Sequence, residues 1–179
     1  MRNKRFWVLL EGSDDQRFFE KVIKPIVSPP YVSAQTWQYA QQKRERTRNF
    51  LSAISKMSSD YLLWGDINDS PCVTARKDII KAAYDDNLAV QNVIIVIREI
   101  EAWYLAGLSD KSCQELGLKP FQNTNAITKE HFNQLIPKKF DSRIDFMLEV
   151  LKRFDIETAK KKNKSFKYFL NKVETTFAE

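Results

Sequence analysis

Histidine is almost missing from this chain: His131 is the only one in 179 residues. That excludes zinc sites built from several histidines, and it excludes Ser-His-Asp chemistry unless His131 itself is the base. His131 sits in a stretch that reads as an exposed helix. Cysteine is scarce as well. Cys72 and Cys113 make no CxxC pair and no disulfide framework, so reduced thiols in a cytoplasmic protein are expected. No apolar run reaches the roughly 18 residues that a membrane span needs. "MRNKRFWVLLEG" puts basic residues before an apolar run, but that run is short and ends in Glu, which does not suit a signal peptide. Internal repeats are absent too.

What remains is an ordinary soluble composition, 43% hydrophobic and 29% charged, in a length that suits one domain with a small appendage. The net charge of +6 favours polyanionic partners. With histidine and cysteine so rare, any chemistry falls to carboxylates, and carboxylates select hard cations such as Mg²⁺ or Mn²⁺.

The hydrophobic pattern alternates between two periods. "RFWVLLEG" (5–12) is a short apolar run bounded by glycine and predicts a buried strand. "SDDQRFFEKVIKPI" comes next as a helix, with Ser13 or Asp14 as its cap and Phe18, Phe19, Val22 and Ile26 as its apolar stripe. After the break at "SPP", residues 31–40 predict a second strand, 41–57 a basic and then amphipathic helix, 60–69 a third strand ending in an acidic turn, and 71–87 a helix with proline near its start. Residues 92–108 begin as a strand and turn helical around Glu101. This alternation predicts a mostly parallel sheet with helices on both faces. The β signal stops near Lys111. Thr128 caps a helix, Ile144, Leu148 and Leu151 with Met147 beside them stripe another, and Phe166, Phe169, Leu170 and Val173 stripe a third. We therefore expect an α/β core over 1–110 and an α-helical cap packed on it over 111–179. The dense basic stretch "AKKKNKS" (159–165) reads as a loop between the last two helices.

The acids fall where the strands end. Glu11 closes the first strand, with Asp15 on the next helical turn. Asp66 closes the third, with Asn68 and Asp69 beside it. Glu99 and Glu101 close the fourth. Open α/β sheets bind ligands beyond the carboxyl ends of their strands. Crowded carboxylates raise one another's pKa unless a cation neutralises them. Each piece also has a plainer explanation: a turn and a helix cap in "EGSDD", a turn in "GDIND", a dipole-matched helix start in "REIEAW". The tryptophans, Trp7, Trp37, Trp64 and Trp103, read as core or as base-stacking groups, with Trp7 and Trp64 placed in the core.

In this order, "EGSDD", "GDIND" and "EIEAWYLAG" resemble the TOPRIM fold of topoisomerases, primases and overcoming-lysogenization-defect (OLD) type nucleases. "LLEGSDDQRFFEKVI", "GDINDSPC…RK" and a late "NKSFKYFL" are similar to small stand-alone TOPRIM-like bacterial proteins. Many of those are encoded beside an ATPase in phage-defence or mobile-element clusters. The resemblance covers most of the chain. It implies a Rossmannoid parallel sheet and two-metal phosphodiester cleavage with Mg²⁺ or Mn²⁺. Glu11 and Asp15 would be ligands of one metal, Asp66 of the other, and Glu101 with Glu99 would complete the first site. Asn68 and Asp69 would add oxygen ligands. In this scheme Glu11, Asp66, Glu101 and a lysine, Lys162 or Lys164, serve catalysis, while Lys160, Lys161, Lys162 and Lys164 hold the nucleic acid backbone. The chain departs from the pattern twice. Asn68 replaces the second Asp of the acidic turn, and Gly107 stands where the family usually has Asp. The rival expectations are a non-catalytic binding module that contacts nucleic acid or a partner ATPase, and a primase or topoisomerase fragment.

Overall fold

The computed structural model describes residues 2–84 and 88–177. The chain divides into two compact units, one comprising Met1–Val96 with Thr176–Glu179, the other Ile97–Thr175. The sequence-based boundary near 110 therefore falls inside the second unit. The reason lies in the helix Glu101–Ala106, which is buried along its whole length and packs with later helices of its own unit.

The first unit is the expected α/β sheet. Strands β1 (Arg2–Leu10), β2 (Tyr31–Gln38), β3 (Asp60–Asp66) and β4 (Val93–Val96) lie in the order β2-β1-β3-β4, and every pairing is parallel. Near-continuous apolar runs such as "WVLL" and "VIIV" suit strands covered on both faces. Helices α3 (Arg44–Lys56) and α4 (Val73–Tyr84) enclose one face, where Leu9, Leu63, Val93 and Ile95 meet Leu51, Ile54 and Ile80. On the other face, a helical segment runs through α1 (Ser13–Phe18), a π-helical turn (Phe19–Ile23) and α2 (Lys24–Val27). Phe19 meets Trp64 there edge to face, 6.2 Å between ring centroids.

The π turn carries one extra residue and rotates the helix beyond it. Ile23 and Val27 are buried as a result, while Ile26 of the predicted stripe is only half-buried. The cap is also displaced. Gly12, rather than Ser13 or Asp14, precedes the helix, and its N–H donates to Asp15 Oδ2 at 3.0 Å. The predicted helix over 71–87 is observed from Val73 to Tyr84, and residues 85–87 lie outside the described part.

The second unit is helical: α5 (Glu101–Ala106), α6 (Asp110–Leu116), α7 (Lys129–Leu135), α8 (Arg143–Lys152), α9 (Ile156–Lys162) and α10 (Lys164–Phe177, whose last residues pass the unit boundary). Its core is aromatic. Trp103 packs on Phe166 and Phe169, and its indole N–H donates to Ser165 Oγ at 2.8 Å. Phe166, Phe169, Leu170 and Val173 are buried as the pattern of α10 predicts. Helix α8 is turned the other way. Phe146, Met147 and Val150 are buried, whereas Ile144 and Leu148 are exposed. Aromatic packing controls this orientation: Phe146 lies against Phe132 and Phe140, with ring centroids at 5.3 and 5.1 Å. The stretch read as a basic loop is largely helix. Helix α9 continues to Lys162, and only Asn163 separates it from α10.

The two thiols differ sharply. Cys72 is exposed and Cys113 is buried, and burial pushes the Cys113 thiol above its ordinary value. A thiol reagent should therefore modify Cys72 alone in the native protein and reach Cys113 only on unfolding. Counting modified thiols before and after adding denaturant checks this; two equivalents reacting at once in the native state would contradict the buried position of Cys113.

Among the described residues, no helix is long and apolar enough to cross a membrane.

Candidate functional site

The first unit brings two acids from distant parts of the chain to one edge of the sheet. Glu11 comes directly after β1, and Asp66 is the last residue of the adjoining parallel strand β3. Glu11 Oε1 accepts from the Asp66 backbone N–H at 3.2 Å, across 55 residues of sequence. The same oxygen accepts from the Tyr39 hydroxyl at 2.9 Å and from Arg76 Nη2 at 3.1 Å. Arg76 is fixed at a second point, because its Nε donates to the Asp66 carbonyl at 2.7 Å. Three donors thus hold one carboxylate oxygen, and one guanidinium ties the ends of both strands together.

Local sequence explains how these groups approach so closely. Gly65 sits inside β3, where a Cβ would lie 2.9 Å from Ile80 Cδ1, 3.1 Å from Tyr39 Oη and 3.3 Å from Glu11 Oε1. The missing side chain is what admits the phenol and the carboxylate. Burial, and after it the charge of Glu11, push the Tyr39 phenol well above its ordinary value, so Tyr39 remains an O–H donor. The Glu11 and Arg76 side chains keep 24% and 16% of their surface, enough for a small ligand to reach them.

The remaining predicted ligands have local roles. Asp15 closes the start of α1 by accepting from Gly12, as a capping-box acid does. Gly12 has φ −148°, and a Cβ there would meet only Asp15 Oδ2 at an ordinary contact distance of 3.7 Å, so the turn there does not depend on glycine. Asn68 lies in the left-handed region at φ 47°, which asparagine tolerates better than most residues. It and Asp69 are exposed in the turn after β3, closed by Ser70 N–H donating to the Ile67 carbonyl at 3.1 Å.

In the second unit, Glu101 is buried and pairs with Arg143 Nη2 at 2.5 Å. Arg143 in turn donates to Asn133 Oδ1 at 2.8 Å and lies over the Phe132 ring. Glu99 lies beyond the end of β4, which stops at Val96, and its carboxylate accepts from the first N–H of α7, at Lys129. Lys162 Nζ donates to the Leu108 carbonyl at 2.7 Å, and Lys160 pairs with Glu157 at 3.0 Å. Lys161 and Lys164 are exposed. Asn163 is the structural centre of "NKS": it is buried, donates to Thr124 Oγ1 at 3.1 Å and accepts from Ser165 Oγ and the Phe166 N–H. His131 is exposed on α7, behind the Thr128 cap.

In neither unit do three His, Cys, Asp or Glu residues, among those described, form a group that could hold a metal ion. An all-protein cage is not the usual way to hold Mg²⁺, which is bound through one or two carboxylates together with water and substrate phosphate. Glu11 and Asp66 offer the carboxylate donor chemistry that such an open arrangement uses. Arg76 and Tyr39, which complete the cluster, went unnoticed in the sequence. The arginine lies in "ARKD", ten residues past Asp66, and only its spacing on the helix after β3 hinted at the sheet edge. No family model matches the chain, and neither curated proteins nor solved structures include a significant match to it.

Proposed function

We propose that this chain is a TOPRIM-like nuclease subunit that cleaves phosphodiester bonds with Mg²⁺ or Mn²⁺, acting with an ATPase partner in phage defence or a mobile element. The observation that supports it is the convergence of Glu11 and Asp66 at the carboxyl edge of adjoining parallel strands, with the Glu11 carboxylate on the Asp66 amide at 3.2 Å. Glu11 and Asp66 would hold the cation. When bound, it would supply Lewis-acid stabilisation of the phosphate and an activated water. Tyr39 and the Asp66 amide orient the Glu11 carboxylate. Arg76, already at this edge, offers a positive fork to a phosphate oxygen. Glu99 and Glu101 keep the structural bonds described above, Lys164 is exposed, and none of the three is given a catalytic step.

The test is cleavage of plasmid and single-stranded substrates in Mg²⁺ and Mn²⁺. Asp66→Ala should abolish cutting while retaining the fold, because Asp66 meets Glu11 and Arg76 through its backbone. Equal cutting by wild type and variant would overturn the assignment.

A second reading, a non-catalytic binding module, is favoured by one observation. Arg76 already neutralises Glu11 at 3.1 Å, as a cation would, and Asn68 brings no charge. It predicts nucleic acid or ATPase binding that is indifferent to divalent cations.

A further inference from the structure

Helix α3 opens with "RERTRN", preceded by Lys43. Lys43, Arg44, Arg46 and Arg48 are all exposed, and among the described residues none of the four forms an ion pair. Glu45 is the only acid in the first turn. Cations at a helix start oppose the helix dipole, so this placement does not serve the helix. It gathers positive charge around the start of α3, with Arg44 and Arg48 on one flank of the buried stripe Thr47, Leu51 and Ile54 and Arg46 on the other.

The start of α3 adjoins the carboxylate edge. Gln38, the end of β2, pairs with Leu10, the residue before Glu11. Tyr39 is next and touches Glu11, and α3 begins five residues later. Tyr84 links the two regions: its ring meets Tyr39 edge to face at 5.2 Å, and its phenol, raised by burial, feels Arg44 as well as Glu11 and Arg76. The basic turn is also braced. Arg46 lies over Trp37 at 5.4 Å with Nη1 on Gln42 Oε1 at 2.9 Å, and Trp37 is stacked on Phe50 at 4.0 Å. A guanidinium over an indole keeps its charge.

We propose that the exposed basic start of α3, built on Lys43, Arg44, Arg46 and Arg48, is the surface that binds the nucleic acid phosphate backbone and leads it to the Glu11–Asp66 edge. The choice of nucleic acid as occupant rests on the nuclease reading above; the location of the surface rests on the uncompensated charge. Each phosphate contact releases condensed counterions, so binding should weaken steeply with salt.

The experiment is fluorescence anisotropy of a labelled single strand and a labelled duplex over a salt series, in EDTA so that cleavage plays no part. Replacing Lys43, Arg44, Arg46 and Arg48 together by Ala should weaken binding at least about tenfold and flatten the slope of log affinity against log salt by about 3. Circular dichroism should show the fold kept, since all four positions are exposed. The comparison variant replaces Lys161 and Lys164, the exposed lysines of the late basic stretch, and should bind as wild type. Retained affinity and slope in the α3 variant, with the loss falling on Lys161 and Lys164, would overturn this surface and leave the nuclease reading standing. Wild type that binds neither strand nor duplex, or that binds only anionic lipid vesicles, would overturn this surface, while the cleavage assay in Mg²⁺ and Mn²⁺ decides the nuclease reading separately.

Discussion

Glu11→Ala should destabilise the protein by about 2 kcal/mol and lower metal-dependent cleavage by a factor on the order of 10³ or more. The stability loss comes from the bonds the carboxylate makes. Oε1 is the acceptor for the Tyr39 hydroxyl, the Asp66 N–H and Arg76 Nη2, and alanine leaves all three donors without it. Breaking a fully buried charge pair costs about 3–5 kcal/mol, and the partial exposure of this pair places the expected value below that range. Glu11→Gln separates the two effects. An amide oxygen still accepts from the three donors but carries no charge, so most of the stability should return while cleavage stays lost. Thermal unfolding beside a cleavage assay reads both quantities. Full activity in either variant would remove Glu11 from the chemistry.

Gly107→Ala should be the most damaging small substitution in the second unit. A Cβ there would lie 2.3, 2.5 and 2.6 Å from Phe154 Cδ2, Cε2 and Cγ, distances that ordinary contacts do not reach. Either the ring or the helix end must move. The Gly107 carbonyl also accepts from the Asp155 N–H at 2.9 Å, which holds the two segments together. Overpacking of this kind costs about 1–3 kcal/mol, which for a chain of this size lowers the melting temperature by roughly 3–10 °C. Backbone strain plays no part, because Gly107 has φ −77°. The proof is a double-mutant cycle: with Phe154→Ala present, Gly107→Ala should cost much less than it does alone. An equal cost in both backgrounds would show that the ring is not the obstacle.

The parallel sheet was legible because its strands are short, β-branched and aromatic apolar runs bounded by turn residues, and length and flanks distinguish them from the longer helical stripes. Glu11 and Asp66 were legible for a related reason: a carboxylate that stops an apolar run marks a strand end, and parallel strands place their ends on one edge. The groups that escaped are those whose role depends on distant contacts. Arg76 reads as an ordinary cation on an amphipathic helix until the fold sets it between Glu11 and Asp66. Gly65 reads as turn chemistry, yet it works inside a strand by making room for Tyr39 and Glu11. Of the α8 stripe, Met147 is buried as expected but Ile144 and Leu148 are exposed, because Phe146 and Val150 have helical spacing too and aromatic packing partners such as Phe132 of α7 decided between the two sets. "KKKNKS" looked like a loop because charge was concentrated there, but Asn163 alone makes the break, with its side chain closing the start of α10.

Mn²⁺ binding measured by electron paramagnetic resonance tests whether the Glu11–Asp66 edge holds a divalent cation. Free Mn²⁺ gives a strong signal that falls when the ion is bound, so affinity is read without any substrate. Wild type should bind Mn²⁺, Mg²⁺ should compete for the same site, and Glu11→Gln and Asp66→Asn should each weaken binding at least about tenfold, with the fold retained. If wild type leaves the Mn²⁺ signal unchanged at millimolar concentrations, or if both variants bind as wild type does, the cation is not held at this edge and the nuclease assignment falls.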